Sequence, residues 1–264
     1  MTSYLCTACG TEFPPGAAPP PHCPTCEDER QYVPAGGQGW TTLAAFGASH
    51  TNMWRQYEPE LFALGTVPAF AINQRAFLLR TPHGNVLWDC ISLLDDATIA
   101  LVNGLGGLAA IAISHPHYYS RMAAWADAFD ARLWLHEADR QHIVLPTPRL
   151  QLWSGEQHAL LPGVTLVNAP GHFDGGTMLH WDARGGCLLS GDIVQVTPDR
   201  SVSVMRSYPD LIPVSPRIVR EVAARVEPYA FNRVYGAFWG REILADGKAA
   251  VRRGLERYLR WVSD

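Results

Sequence analysis

Apolar and polar residues alternate with short periods along most of the chain, and the period shifts from strand-like to helix-like as the sequence proceeds. Residues 69–79 and 85–89 flank Thr81-Pro82-His83-Gly84, which predicts a hairpin. Residues 95–103 predict a helix, with Gly104 as its stop signal. Residues 108–114 form a short apolar run, the pattern of a buried strand. Over residues 119–129 the period is helical, and Met122, Trp125, Ala126 and Phe129 share one face. Residues 133–135, 164–169, 177–181 and 187–190 read as strands, the later ones split by Gly and Asp. Pro216 opens a helix over 216–226, with Ile218, Val219, Val222 and Val226 on one side. A late strand at 233–236 precedes a closing helix at 246–262, whose Val251, Leu255, Tyr258, Leu259 and Val262 face inward. Strands crowd the first part and alternate with helices later, which predicts a mixed α/β (α+β) protein with two sheets and helices outside.

The first 36 residues break this pattern. They hold four of the six cysteines, the runs Pro14-Pro15 and Pro19-Pro20-Pro21, and few large apolar residues. Such a segment has no hydrophobic core of its own to fold on. Pro34-Ala35-Gly36-Gly37-Gln38-Gly39 reads as a linker. The expected organisation is a small zinc-ribbon module over 1–36 and a single larger domain over 37–264.

The module carries its own chemistry. Cys6-x2-Cys9 and Cys23-x2-Cys26 are separated by 13 residues. Two such knuckles build a tetrahedral thiolate site with metal–sulfur distances of about 2.3 Å. Gly10 follows the first knuckle and Pro24 lies inside the second, as tight turns require. Redox dithiols are the competing reading, but neither pair sits in a βαβ pattern. Zinc is the expected ion; iron is the alternative, because Cys-Thr-Ala-Cys-Gly and Cys-Pro-Thr-Cys also resemble the knuckles of rubredoxin. With four protein ligands the site is structural, and metal binding supplies the module's folding energy. Cys90 and Cys187 stand in apolar surroundings and read as core residues.

Composition narrows the function classes. The chain has 264 residues, 47% hydrophobic and 17% charged, which excludes intrinsic disorder. Its 21 Lys and Arg against 25 Asp and Glu leave a net charge of -4, with no basic surplus for a phosphate backbone. Glu27-Asp28-Glu29 directly follows the last cysteine of the module, so nucleic acid is not the expected partner. Lys248 is the one lysine, and Gly247-Lys248-Ala249 is not a P-loop. No apolar run approaches the roughly 18–20 residues that span a bilayer, and the N-terminus lacks the pattern of a signal peptide. A cytoplasmic protein with reduced thiols is expected.

Histidines cluster at strand ends. The strand over 108–114 runs into His115-Pro116-His117, and two His one residue apart in an extended loop can share a metal. His172 follows another strand within Pro170-Gly171-His172-Phe173-Asp174-Gly175-Gly176-Thr177. Asp192 ends the apolar segment Leu188-Leu189-Ser190-Gly191-Asp192. Three histidines and a carboxylate make a first-row metal site. His50, His83, His136, His142, His158 and His180 read as ordinary core or surface residues.

At these residues the chain resembles the metallo-β-lactamase superfamily over about residues 40–264. His115 and His117 match the first two ligands of its His-x-His-x-Asp-His motif. His172 matches its Gly-His-x-x-Gly-Ser/Thr histidine, and Asp192 its bridging carboxylate. The resemblance implies a four-layer αββα sandwich with the site at one edge of the sheets. It also marks departures. The positions of the motif's Asp and last His hold Tyr119 and Ser120, and the final His position falls near Ala237 in Val234-Tyr235-Gly236-Ala237-Phe238-Trp239-Gly240. The second metal site is therefore degenerate, and one ion is expected, zinc or iron.

Further candidates lie nearby in sequence. Arg206 offers a planar fork for an anionic substrate group, and Tyr208 and Tyr119 could donate to a developing oxyanion. Asp89 is a candidate to orient a ligand His, or else to cap a turn. Arg241 lies where the missing last ligand would be, with salt bridging as its plain alternative. Gly104-Leu105-Gly106-Gly107-Leu108-Ala109 follows a helix and precedes a strand, the reverse of a dinucleotide fingerprint. There is no Gly-x-Ser-x-Gly elbow, and His136-Glu137 lacks the second His of a zincin at Arg140. The resemblance thus implies a metal-dependent hydrolase in which one ion, held by His115, His117, His172 and Asp192, activates water, with an ester, thioester, amide or phosphoester as the substrate class the superfamily suggests. A small-molecule substrate is the expected partner. The competing predictions are an inactive scaffold that contacts a protein through its ribbon, and a redox protein with iron in both sites.

Overall fold

The computed structural model describes residues 2–263. The chain divides into two compact units, Met1–Leu135 with Gln141–Gln151, and His136–Arg140 with Leu152–Asp264.

The first unit is built on a seven-stranded sheet whose spatial order follows the chain. Thr51–Glu58, Leu61–Val67, Ala76–Leu79 and Val86–Trp88 pair antiparallel in succession. The sheet then turns parallel, as Val86–Trp88 pairs with Ala110–Ala112 and that strand with Arg132–His136. Parallel neighbours need a crossover, supplied here by helices Asp96–Gly104 and Met122–Ala128. Asp95 caps the first of them, its carboxylate accepting the Thr98 N–H at 2.8 Å. The central strands Ala76–Leu79, Val86–Trp88 and Ala110–Ala112 are buried at every position, so they read as unbroken apolar runs.

The cysteine-rich segment belongs to this unit. Its strand Tyr4–Cys6 pairs antiparallel with Trp40–Thr42, just past the predicted linker. Phe13 packs edge-on against Trp40 at 5.0 Å, and the module's four cysteines pack with Phe13 against Ile72 and Val144. Ser92 donates to the Gly10 carbonyl at 3.0 Å.

The second unit carries a six-stranded sheet in the order Gln157–Leu161, Val164–Asn168, Thr177–Trp181, Cys187–Gly191, Arg233–Gly236, Glu242–Ile243. Its one parallel pair, Cys187–Gly191 with Arg233–Gly236, is linked through helix Pro216–Val226. That helix and the C-terminal helix Gly247–Val262 bury Val219, Val222, Val226, Val251 and Leu255 against Met178, Leu188 and Val234. Gly254 sits where a Cβ would lie 2.5 Å from the Val202 carbonyl oxygen, so the helix can touch strand Val202–Ser203 only with no side chain there.

The helices predicted at 95–103, 216–226 and 246–262 and the strands at 164–169, 177–181, 187–190 and 233–236 all form. Residues 69–75, read as part of a strand, are a loop with a turn at 71–72, and the strand begins at Ala76.

Candidate metal centres

Cys6, Cys9, Cys23 and Cys26 meet as the spacing predicts, with all four sulfurs within 4.8 Å of one another. Cys6 and Cys26 sulfurs are 3.5 Å apart and those of Cys9 and Cys23 3.6 Å. Four thiolates around a tetrahedral zinc at about 2.3 Å stand about 3.8 Å apart, so the cage fits that ion. The knuckle turns are closed by Gly10 N–H to Cys6 carbonyl at 2.8 Å and by Cys26 and Glu27 N–H to Cys23 carbonyl at 3.0 Å. Gln38 donates its amide to Cys6 Sγ at 2.9 Å. Hydrogen bonding with Cys23 pushes the Cys6 thiol down, while the same neighbour pushes Cys9 and Cys26 up. A dication would hold all four as thiolates. None of the six cysteines forms a disulfide and all are buried, Cys90 and Cys187 among them as core residues.

The second centre is a histidine group. His115, His117 and His172 each offer one ring nitrogen, and these nitrogens lie within 4.8 Å of one another. Each residue is at most 2% exposed. His115 leaves strand Ala110–Ala112 in extended conformation, and Pro116 then starts a one-turn 3-10 helix, Pro116–Tyr118, which contains His117. The loop is therefore a turn and not the extended segment expected from the sequence. The residue before a proline is held extended, and proline itself is set for the first position of a turn. The two rings end 5.1 Å apart at 74°.

His172 lies in a different kind of loop. Gly171 has φ +134, a conformation that favours glycine. The loop is closed by Ala169 N–H to Gly176 carbonyl at 2.6 Å and by the Asn168 amide to the Asp174 carbonyl at 3.1 Å. Gly175 N–H donates to the buried Asp139 carboxylate at 2.8 Å.

Each ligand ring is held through Nδ1. His172 Nδ1 lies 2.8 Å from the Arg206 carbonyl and 3.2 Å from that of Met205. Carbonyls only accept, so Nδ1 carries the proton and Nε2 is the atom left to bind a metal. His115 Nδ1 is 2.9 Å from the Ser114 hydroxyl, and the Ser114 N–H is fixed at 2.7 Å by the Asp89 carboxylate. His117 Nδ1 is 3.4 Å from the amide nitrogen Nε2 of Gln31. Flipped, the amide would present Oε1 instead, the acceptor that a His117 binding an ion through Nε2 needs. Three imidazoles held in this way fit a zinc or iron ion.

Among the described residues, the tight ligand groups contain no carboxylate. Asp192 is buried at the end of strand Cys187–Gly191, its side chain 3.4 Å from Gln195 Nε2. Its carbonyl accepts the Tyr208 hydroxyl at 2.8 Å. The Tyr208 ring lies 5.5 Å from that of His172, and burial pushes its hydroxyl pKa up. Arg206 serves His172 through its backbone carbonyl. Tyr119 is buried, and its N–H closes the 3-10 turn onto Pro116 at 3.1 Å. Ser120 has φ +33, and its hydroxyl accepts from the Gln74 amide at 3.1 Å. Ala237 is buried, and its N–H donates to the Gly191 carbonyl at 3.3 Å. Arg241 donates to the Val196 carbonyl at 3.4 Å. His136 is a satisfied core histidine, with Nε2 donating to Gly155 carbonyl at 3.1 Å and Nδ1 accepting from Ala138 N–H at 3.2 Å.

Sequence reasoning missed Ser114, Gln31 and the Arg206 carbonyl. Adjacency to His115 is a usable signal for Ser114; a backbone carbonyl leaves none.

No family model matches this sequence. The uncharacterized protein YmaE of Bacillus subtilis (strain 168) is 43% identical over 266 residues, which cover 98% of this chain and 97% of YmaE. Among solved structures, DIM-1 metallo-β-lactamase aligns with a TM-score of 0.56 at 12% identity over 76% of this chain and 97% of that one. A B3 metallo-β-lactamase with an active-site glutamic acid gives 0.53 at 15%, over 79% and 89% of the two chains. The chemotaxis sensor ODP, solved as a peroxy diiron species, gives 0.54 at 16%, over 80% and 94%. The fold is that of the metallo-β-lactamases.

Proposed function

The chain belongs to the family of YmaE and has the metallo-β-lactamase fold, and from that premise we propose that it is a metal-dependent hydrolase working with a single ion. The observation that carries this reading is the convergence of three buried ring nitrogens, with Nδ1 of each ring engaged by Ser114, Gln31 or the Arg206 carbonyl. His115, His117 and His172 would hold the ion, zinc or iron, with Asp192 as the candidate carboxylate. When bound, the ion supplies Lewis-acid activation of water and of an ester, thioester, amide or phosphoester group. Tyr119 and Ser120 replace the acid and histidine that the fold's two-metal members use, which favours one ion. The Tyr208 hydroxyl, committed to the Asp192 carbonyl, fixes the turn that presents Asp192. The four-cysteine site would hold zinc in a structural role. The six reduced cysteines fit a cytoplasmic setting, and no helix among the described residues is long and apolar enough to cross a membrane.

The test is a panel of chromogenic carboxylic, thio- and phosphoesters with the zinc- and iron-loaded protein. Turnover that ceases in His172→Ala supports the proposal. Absence of turnover on every class, with the histidine centre loaded, would count against hydrolysis and favour the scaffold reading.

A further inference from the structure

The cysteine module does more than precede the histidine centre; it touches the segment that carries two of its ligands. Gln31 stands five residues beyond Cys26. It is set by a turn in which its N–H donates to the Asp28 carbonyl at 2.9 Å. That turn is braced by Arg30, which meets both Asp28 carboxylate oxygens, at 3.0 Å from its N–H and 3.2 Å from its guanidinium. From there the Gln31 amide reaches His117 Nδ1 at 3.4 Å. Two further contacts tie the module to the same loop. Glu12 N–H donates to the Ser120 carbonyl at 3.1 Å. The Glu12 carboxylate pairs with Arg121 Nε at 3.0 Å, the two side chains only 7% and 13% exposed. The loop over 115–121 is thus gripped at its middle by Gln31 and at its end by Glu12. Both grips come from a segment with little apolar core, whose fold depends on its metal.

We propose that the four-cysteine module is a working part of the histidine centre and that Gln31 is a positioning residue, fixing the His117 ring with its amide turned so that Oε1 accepts from Nδ1. This rests on the reading that the three histidines hold an ion. Partners of this kind orient a ligating imidazole and raise its basicity, and their loss costs about 10–100-fold in metal affinity. The module's ion then governs the second centre without contacting it: loss of that ion from the cage releases Gln31 and Glu12 together.

The experiment is zinc titration of the full-length protein against a competing chelator, for wild type, Gln31→Ala and Gln31→Met, with zinc per chain measured in parallel. Methionine keeps the length and packing of the side chain but offers no amide. The expected result is an intact cysteine-bound ion in both variants and a second ion bound about 10–100-fold more weakly than in wild type. Wild-type affinity for the second ion in Gln31→Met overturns the proposal. So does loss of the cysteine-bound ion in both variants, because the effect is then on the module's own fold. If wild type itself binds no second ion, the reading of the histidine centre falls as well, a result distinct from the other two.

Discussion

Gly254 offers a test in which two effects of opposite sign compete. It lies inside helix Gly247–Val262, where replacing glycine by alanine normally gains about 0.5–1 kcal/mol. At this position a Cβ would stand 2.4 Å from Val202 Cγ2, 2.5 Å from the Val202 carbonyl oxygen and 2.8 Å from its nitrogen. Two of the three atoms are backbone, so the strand must move, and such overpacking costs about 1–3 kcal/mol. Gly254→Ala is therefore expected to lose up to about 2.5 kcal/mol and about 1 kcal/mol at mid-range, the latter about 2–4 °C in Tm for a chain of this size. Gly47 is the control. It lies in helix Leu43–Ser49 with nothing within 4 Å of its would-be Cβ, and Gly47→Ala should gain about 0.4–1 kcal/mol. Urea and thermal unfolding of both variants decide the matter. The strain also has a direction, because Val202 leads within four residues to the carbonyls of Met205 and Arg206 that hold His172. A Gly254→Ala protein stabilised as much as Gly47→Ala would refute the reasoning from close approach.

Ser114→Ala should weaken the ion at the histidine centre by about 10–100-fold and leave the cysteine-bound ion in place, read by zinc titration. Burial lowers the His136 pKa in the folded protein, so its contribution is complete above the unfolded value of about 6.5 and is lost as pH falls through the lower folded value. Wild type should therefore lose stability between neutral and mildly acid pH, and His136→Gln should lose less, as seen in urea midpoints against pH. Tyr208→Phe should cost about 0.5–1.5 kcal/mol by freeing the Asp192 carbonyl, again by urea unfolding.

Elements buried on both faces, or marked by a cap, were legible in the sequence. Helix Pro216–Val226 is announced by its proline and helix Asp96–Gly104 by the Asp95 cap. The hairpin of Thr51–Glu58 with Leu61–Val67 was not, because its first strand is largely exposed and polar, with no buried position to show a period. The four cysteines and the three histidines were legible because coordination restricts residue type and spacing; Asp192, read with the histidines, lies outside their group. Residues that hold the ligands were not. Gln31 lies 86 positions from His117, and only the folded cysteine module brings it there. The geometry of His115-Pro116-His117 was misjudged because the proline's own turn preference outweighs the extended tendency of a strand end.

The central claim, that three histidines hold an ion apart from the cysteine cage, is tested most directly by metal content per chain. Wild type is to be compared with a His115→Ala/His172→Ala double variant by elemental analysis. The account predicts two ions in wild type and one, in the cysteine cage, in the variant. A single ion in both proteins would contradict it.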